Sequence, residues 1–374
     1  MTPISYPNSV QQPLISIIMP AYNAGRFIKE AIHSVLAQTY SQWELLIVDD
    51  ASADNTSDIV NTISDTRIRY QRMARIGSPA GVRNVGLRMA KGEFIAFLDA
   101  DDLYFPDTLE KFLKRLQNNP HACAAYGFAT NMDEAGAPLP NNVRLIPKSA
   151  SQNGLVTNTN ESDYSPYLVS DQHAHTWLNI VTSRSSCQLP GLMLRKSTLD
   201  QIGLFNETLA GVEDYEFYLR LYLHDYDGVI SLDDYIYRYR IHAASLTKAP
   251  EHSQRLLKSC LDILDWLFNK APLPEHVQAY RSLAYVFCYR YMARERLLNK
   301  QPALARQLAW QALHNTNIIF KDFVCQCGPL LIRSFLPSIL DQYLVTARAQ
   351  ARTFQHPSQS QQNEPLLSQA GVSL

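Results

Sequence analysis

Two hydrophobic periods alternate along the first part of the chain. Leu14–Met19 (Leu-Ile-Ser-Ile-Ile-Met), Trp43–Val48 and the run that opens at Phe94 are almost uninterrupted apolar stretches, the pattern of strands buried on both faces. Pro20 is expected to end the first of them. Between the first two, Arg26–Gln38 sets Phe27, Ile28, Ala31, Ile32, Val35 and Leu36 at i, i+3, i+4 spacing, which predicts a helix with one apolar face. A short helix to about Ile63, N-capped by Asp54 or Asn55, a brief strand at Ile68–Gln71 and a helix over Ser78–Ala90 continue the alternation. A helix over Phe105–Asn118 and a strand over Ala122–Phe128 follow. Four rounds of strand and helix predict an α/β fold, a mostly parallel Rossmann-like sheet flanked by helices and joined by right-handed crossovers.

The pattern changes twice after that. Residues 131–186 are rich in Asn, Ser, Thr and Pro and read as long loops, before regular patterning resumes at Leu189. From about Pro250 only helical periodicity remains, in Ser253–Asn269, His276–Leu298, Ala303–Leu313 and Ile332–Ala347. The helices of this C-terminal all-helical extension either pack on the preceding domain or on one another, or dock to a membrane face or partner. Residues 1–13 read as a loose leader and 352–374, rich in Gln, Ser and Pro, as a disordered tail.

Composition narrows the class. In 374 residues, 34 Lys+Arg stand against 35 Asp+Glu, so no basic surface for nucleic acid is expected. Six cysteines are scattered apart from Cys325 and Cys327, a usage that suits a reducing cytosol better than a disulfide framework. No basic signal-peptide start precedes Arg26, and no uncharged apolar run approaches the roughly 20 residues needed to cross a bilayer. A cytoplasmic protein is expected, with peripheral membrane association as a second possibility. Asn160 and Asn206 head sequons that have no meaning without secretion, and His173 and His175 read either as metal ligands or as exposed loop residues.

Candidate chemistry collects at strand ends. The run from Phe94 closes in Asp99, Asp101 and Asp102; three carboxylates so close repel one another unless a cation or basic group joins them. An oxygen-rich set of this kind suits Mg²⁺ or Mn²⁺, and the plainer reading is an acidic cap on the next helix. Pro20, Tyr22 and Asn23 follow strand one, and Asp49 and Asp50 end strand two. In parallel sheets ligands bind beyond these carboxyl ends.

Taken together, Ser-Ile-Ile-Met-Pro-Ala-Tyr-Asn-Ala (16–24), the segment 38–56 with its Val-Asp-Asp, Val-Arg-Asn-Val-Gly (82–86) and Gly-Glu-Phe-Ile-Ala-Phe-Leu-Asp-Ala-Asp-Asp (92–102) resemble the inverting family-2 glycosyltransferases of GT-A fold, over about residues 14–245. The resemblance implies a nucleotide-sugar-binding half over 14–130 and an acceptor-binding half over 131–248 of one domain, with the helical extension at 249–351. It implies that Pro20, Tyr22, Asn23 and Asp50 hold the nucleotide, that Asp99 and Asp101 hold a divalent cation on the diphosphate, and that Arg83 and Asn84 lie near the nucleotide. Arg83 could equally pin the carboxylates structurally, and Val82 replaces the usual Ala of that segment. Glu213-Asp214, at the start of a predicted helix, matches the acceptor motif, with Asp214 as general base and Glu213 as the fallback. His242, in Tyr-Arg-x-His form with Arg240, either completes the metal site or is a buried structural histidine. The function expected is sugar transfer from a nucleotide-diphosphate donor, UDP- or dTDP-linked by preference because a carboxylate at Asp50 can accept an imide N–H, to a carbohydrate or lipid-linked hydroxyl in surface polysaccharide or glycolipid assembly. A sugar-nucleotide pyrophosphorylase would need a Gly-rich basic loop, for which 20–26 offers one Gly and one Arg. A non-catalytic binding module would be expected to lack Asp101 or Asp214, and both are present.

Overall fold

The computed structural model describes residues 12–139, 177–181, 188–209, 211–242, 252–298 and 301–314. The chain divides into two units, Met1–Tyr289 and Arg290–Leu374. The strands are β1 (Ile15–Ala21), β2 (Trp43–Asp49), β3 (Ile68–Arg72), β4 (Phe94–Phe97), β5 (Leu103–Tyr104), β6 (Ala124–Met132), β7 (Leu192–Arg195) and β8 (Val229–Arg240). The helices are α1 (Ile28–Leu36), α2 (Thr56–Asn61), α3 (Pro79–Met89), α4 (Thr108–Gln117), α5 (Trp177–Val181), α6 (Lys196–Ile202), α7 (Glu213–His224), α8 (His252–Asn269), α9 (Glu275–Gln278), α10 (Arg281–Leu298) and α11 (Pro302–His314).

The strands form one sheet in the order β3-β2-β1-β4-β7-β6-β8-β5. The first four are parallel, with Ile18 opposite Leu46 on one side and Phe97 on the other. β7 then enters antiparallel between β4 and β6, and β6 pairs with β8 in parallel. The α/β sheet flanked by helices is thus as expected, its parallel half being the N-terminal one. Alternate residues of the parallel strands feed opposite faces, as a period of two requires. Ile18, Leu46, Ile95 and Phe97 join α3, α7, α8 and α9 in one apolar cluster; Ile17, Met19, Leu45, Ile47 and Ala96 join α1 and α4 in the other.

Three expectations need correction. Pro20 does not end β1; it lies inside the strand, opposite Val48. The carbonyl of Ile18 accepts from Leu98 on the β4 side, so Pro20, two residues on, faces the side where β4 has already stopped, and its missing N–H breaks no ladder. The apolar run from Phe94 is strand only to Phe97, because the chain turns at once, with Asp102 N–H donating to Asp99 O. The predicted helix His276–Leu298 is two, α9 and α10.

α3 begins at an N-capping Ser78, whose hydroxyl accepts from Gly81 N–H, with Pro79 in the first turn. Gly86 brings it onto β1: a Cβ there would meet Ile18 Cγ2 at 2.8 Å. Gly86→Val should therefore overpack the layer and lower stability by about 1–3 kcal/mol in urea unfolding; an unchanged midpoint would mean that α3 can slide.

In the second unit α11 buries Ala305, Leu308, Ala309 and Ala312, and Arg296 donates to Gln301 Oε1 at 3.0 Å. No helix among the described residues is long and apolar enough to cross a membrane. His173, His175, Asn160, the helix expected at Ile332–Ala347, Cys187, Cys325, Cys327 and the tail 352–374 lie outside the described residues.

Candidate active site

The loops that leave β1 and β2 are latched together. Asn23 adopts a left-handed φ of 48°, which asparagine tolerates. Its N–H donates to Ser52 Oγ and its side-chain oxygen accepts from Ala53 N–H, both at 2.8 Å. Ala24 and Gly25 N–H groups donate to Thr56 Oγ1 and Asp54 Oδ2 at 2.9 Å. Tyr22 stands on this platform, 47% exposed. The carboxylate of Asp50, only 3% exposed, accepts from Arg75, from Ile76 N–H and, at 2.9 Å, from Gly77 N–H. The Arg75 guanidinium lies over the Tyr22 ring, 3.5 Å from its centroid. Asn23 thus serves first as a latch.

A second cluster joins segments far apart in sequence. Arg83, buried on α3, donates through Nη2 to Asp99 Oδ1 at 2.9 Å and through Nη1 to Glu213 Oε1 at 3.0 Å. One guanidinium fork thereby ties the carboxyl end of β4 to the first turn of α7. Burial, with Glu213 beside it, raises the Asp214 carboxyl to about 6, Arg83 partly offsetting both. The helix start does not hold Asp214 low, as placing the acidic pair there would suggest; desolvation outweighs the dipole. A base poised near 6 is mostly ionised at neutral pH and better matched to proton transfer than an ordinary aspartate.

Asn84, expected near a nucleotide, is committed within the protein. Its Nδ2 donates to Phe205 O at 2.9 Å and Glu207 Oε1 at 2.8 Å, and its Oδ1 accepts from Phe205 N–H at 2.9 Å. Both amide hydrogens are committed and the residue is buried, so it clamps α3 to the 205–207 segment and has no free donor for a nucleotide.

The third cluster holds the remaining aspartates. His242 Nε2 lies 2.9 Å from Asp101 Oδ2, and the imidazole packs against Phe27 with centroids 4.8 Å apart. Burial and the neighbouring Asp99 raise the Asp101 carboxyl above its ordinary range. Asp102 is turned to another task, its Oδ1 accepting from Arg240 N–H at 2.9 Å. Arg240, its side chain fully buried, donates to Asp101 O at 2.9 Å, Glu134 O at 3.0 Å and Glu30 Oε2 at 2.8 Å, over the ring of Phe27. No three His, Cys, Asp or Glu side chains among the described residues converge as a ready cage for a metal. A hard oxygen donor and an imidazole nitrogen nevertheless meet at Asp101 and His242, and the like-charged Asp99 beside them favours a cation. That donor set fits a Mg²⁺ or Mn²⁺ whose other ligands are substrate phosphates and water.

Arg75 and Glu30 were not candidate site residues on sequence alone. Arg240 had a signal in Tyr-Arg-x-His; Glu30 looked like an ordinary exposed position of an amphipathic helix, and Arg75 sits in a loop without a motif.

Known proteins resemble this chain in sequence and in fold. The model of the family described as glycosyl transferase family 2 matches residues 16–181. The Bacillus subtilis (strain 168) glycosyltransferase TuaG, named for teichuronic acid biosynthesis, is 37% identical over 150 residues, 40% of this chain and 59% of its own length. The Escherichia coli UDP-Glc:alpha-D-GlcNAc-diphosphoundecaprenol beta-1,3-glucosyltransferase WfgD is 47% identical over 106 residues, 28% of this chain and 42% of its own. This chain thus spans about half the length of these curated relatives. Among solved structures, residues 1–349 of S. aureus TarS in complex with UDP-GlcNAc superpose with a TM-score of 0.53 at 22% identity, covering 80% of this chain and 81% of that one. The Pyrobaculum calidifontis mannosyltransferase PcManGT, in complex with GDP-Man and Mn²⁺, gives 0.52 at 17% identity and 88% of each chain. The fold is of the GT-A type, and residues 16–181 match glycosyl transferase family 2.

Proposed function

We propose that the protein transfers a sugar from a nucleoside-diphosphate donor, UDP- or dTDP-linked by preference, to a hydroxyl of a carbohydrate or lipid-linked acceptor, with inversion at the anomeric carbon. The observation that carries this reading is the Arg83 fork, which unites the Asp-x-Asp turn with the Glu213-Asp214 helix start. Donor and acceptor chemistry then face each other at one strand edge, and positioning alone removes much of the barrier. Asp214 takes the proton of the acceptor hydroxyl as its oxygen bonds to the anomeric carbon and the bond to the diphosphate breaks. Glu213, held by Arg83, orients that helix start. Pro20, Tyr22 and Asp50 hold the base. Asp101 and His242 would hold the divalent cation, with the like-charged Asp99 beside them favouring it. When bound, the cation supplies Lewis-acid neutralisation of the leaving group.

WfgD is named for a diphosphoundecaprenol-linked acceptor and TuaG for teichuronic acid biosynthesis. These names favour surface polysaccharide or glycolipid assembly, with this protein working on the cytoplasmic face beside a membrane-linked acceptor.

Calorimetry tests the donor side. UDP should bind more tightly with Mn²⁺ than without, and Asp101→Asn should fold normally yet lose that difference. GDP binding as tightly as UDP would remove the base-reading role from Asp50. An undiminished Mn²⁺ effect in Asp101→Asn would move the metal elsewhere.

A further inference from the structure

We propose that Arg75 is a displaceable occupant of the base slot, which a uracil-type base must evict before it can stack on Tyr22 and reach Asp50. The inference rests on the reading of Tyr22 and Asp50 as the base-holding pair and adds what fills that slot beforehand.

The geometry makes the two occupants exclusive. The Arg75 guanidinium lies 3.5 Å above the Tyr22 ring centroid, the separation of two planar groups in contact, so no base fits between them. The same guanidinium pairs with the Asp50 carboxylate and also donates to Asp50 O at 3.3 Å. It therefore covers the ring on the side that leads to Asp50, where a base reaching both groups has to lie. A flat cation with N–H donors at its edge imitates a flat base with an N–H donor at its edge, and arginine is the side chain whose shape allows this.

The occupant is built to leave. The Arg75 side chain is 47% exposed, and among the described residues its hydrogen bonds all go to Asp50, so it can turn into solvent by giving up those bonds and its stack on Tyr22. Asp50 is not orphaned by its departure. Gly77, at a left-handed φ of 76°, turns the chain so that the consecutive amides of Ile76 and Gly77 both donate to that carboxylate. One acceptor position opens for the base while the other two donors stay. Filling the slot keeps a buried carboxylate and an exposed ring covered between turnovers, and it lowers apparent affinity by the fraction of molecules in which the slot is closed. Release of the spent nucleotide is helped by the same return of Arg75.

Uridine is the probe, because without phosphates it reads the base slot alone. In calorimetry, Arg75→Gln should bind uridine about five- to thirtyfold more tightly than the wild type, the span set by one exposed ion pair plus one cation–π contact. Wild-type affinity for uridine should rise with ionic strength as the Arg75–Asp50 pair is screened, and the variant's should stay flat. Arg75→Lys, which keeps the charge and loses the planar stack, should fall between them, and it decides the matter together with the salt series if Arg75→Gln does not fold. Weaker uridine binding in Arg75→Gln and Arg75→Lys would overturn the proposal and make Arg75 a base contact, with the base slot itself intact. Asp50→Asn in the Arg75→Gln background separates the two readings: it should abolish the gained affinity. Uridine binding unaffected by Asp50→Asn in both backgrounds would sink the base-slot reading, and the proposal with it.

Discussion

Asp214→Asn should lower turnover by at least about 10²-fold, the usual contribution of a positioned general base, while nucleotide-sugar binding survives. The same substitution should make the protein more stable at neutral pH. Asp214 is raised to about 6 in the folded chain by burial and Glu213, against about 3.9 when unfolded. A carboxyl raised on folding favours the native state only while protonated. That contribution is complete below about pH 4 and is lost as pH rises through about 6. At pH 7 the ionised, largely desolvated carboxylate opposes folding by on the order of 1–3 kcal/mol, and the isosteric amide removes that term. Activity runs the other way: turnover in the wild type should fall as pH drops through about 6, where the base becomes protonated. Steady-state rates across pH 4.5–8, paired with thermal midpoints at pH 5 and pH 7.5, check both limbs. A variant as active as the wild type, or one less stable at pH 7.5, would remove Asp214 from the role of buried base. Glu213→Gln should reduce turnover less, since Glu213 orients through Arg83. Product from a defined donor should be inverted at the anomeric carbon by NMR; retention would end the general-base assignment.

Arg83→Met should destabilise the protein before any ligand is added, by about 3–5 kcal/mol in urea unfolding. Removing the guanidinium leaves Glu213, a buried carboxylate with one oxygen already lacking a hydrogen-bond partner, beside Asp99 and Asp214 without a neutralising charge. Arg83→Lys should recover only part of the loss, because one ammonium lacks the planar fork that serves two carboxylates at once. Adding Glu213→Gln to Arg83→Met should restore part of the stability, giving a coupling of opposite sign to the first loss. If Arg83 served only to bind diphosphate, unliganded stability would not move and the coupling would vanish.

Much of the N-terminal sheet was legible. β1, β2 and β4 are nearly continuous apolar runs, and the polar residues that end them stand where a parallel sheet gathers ligands. What stayed hidden is non-local. Nothing in Leu192–Arg195 announces that it will slip between β4 and β6, and the Asn84 clamp depends on Phe205, 121 residues away. Local signals also misled: Pro20 has the chemistry of a strand terminator, harmless here because β4 ends first. The break between α9 and α10 carries neither Pro nor Gly. Arg75 shows the limit most clearly, since its partners come from the ends of two other strands and its own segment has no periodicity. The elevated Asp214 was likewise invisible, because a first-turn acid normally gains from the helix dipole and only burial reverses the sign.

The contacts of Arg240 also set an order of assembly. Its guanidinium closes on Glu30 across 210 residues and on Asp101 across 139, while its amide is the hydrogen-bond partner of Asp102. A ribosome adding about 5–20 residues per second exposes Glu30 roughly 10–40 s before Arg240 exists. During that interval the β1–β4 sheet can form, but the acidic turn at its edge has neither its buried cation nor its histidine. Asp101 and Asp102 must wait in water, where their repulsion is weakest, while Asp99 already has Arg83. The Asp-x-Asp turn is therefore made early and locked late, and a nascent chain stalled before residue 240 should present the parallel strands β1–β4 with their acidic corner open.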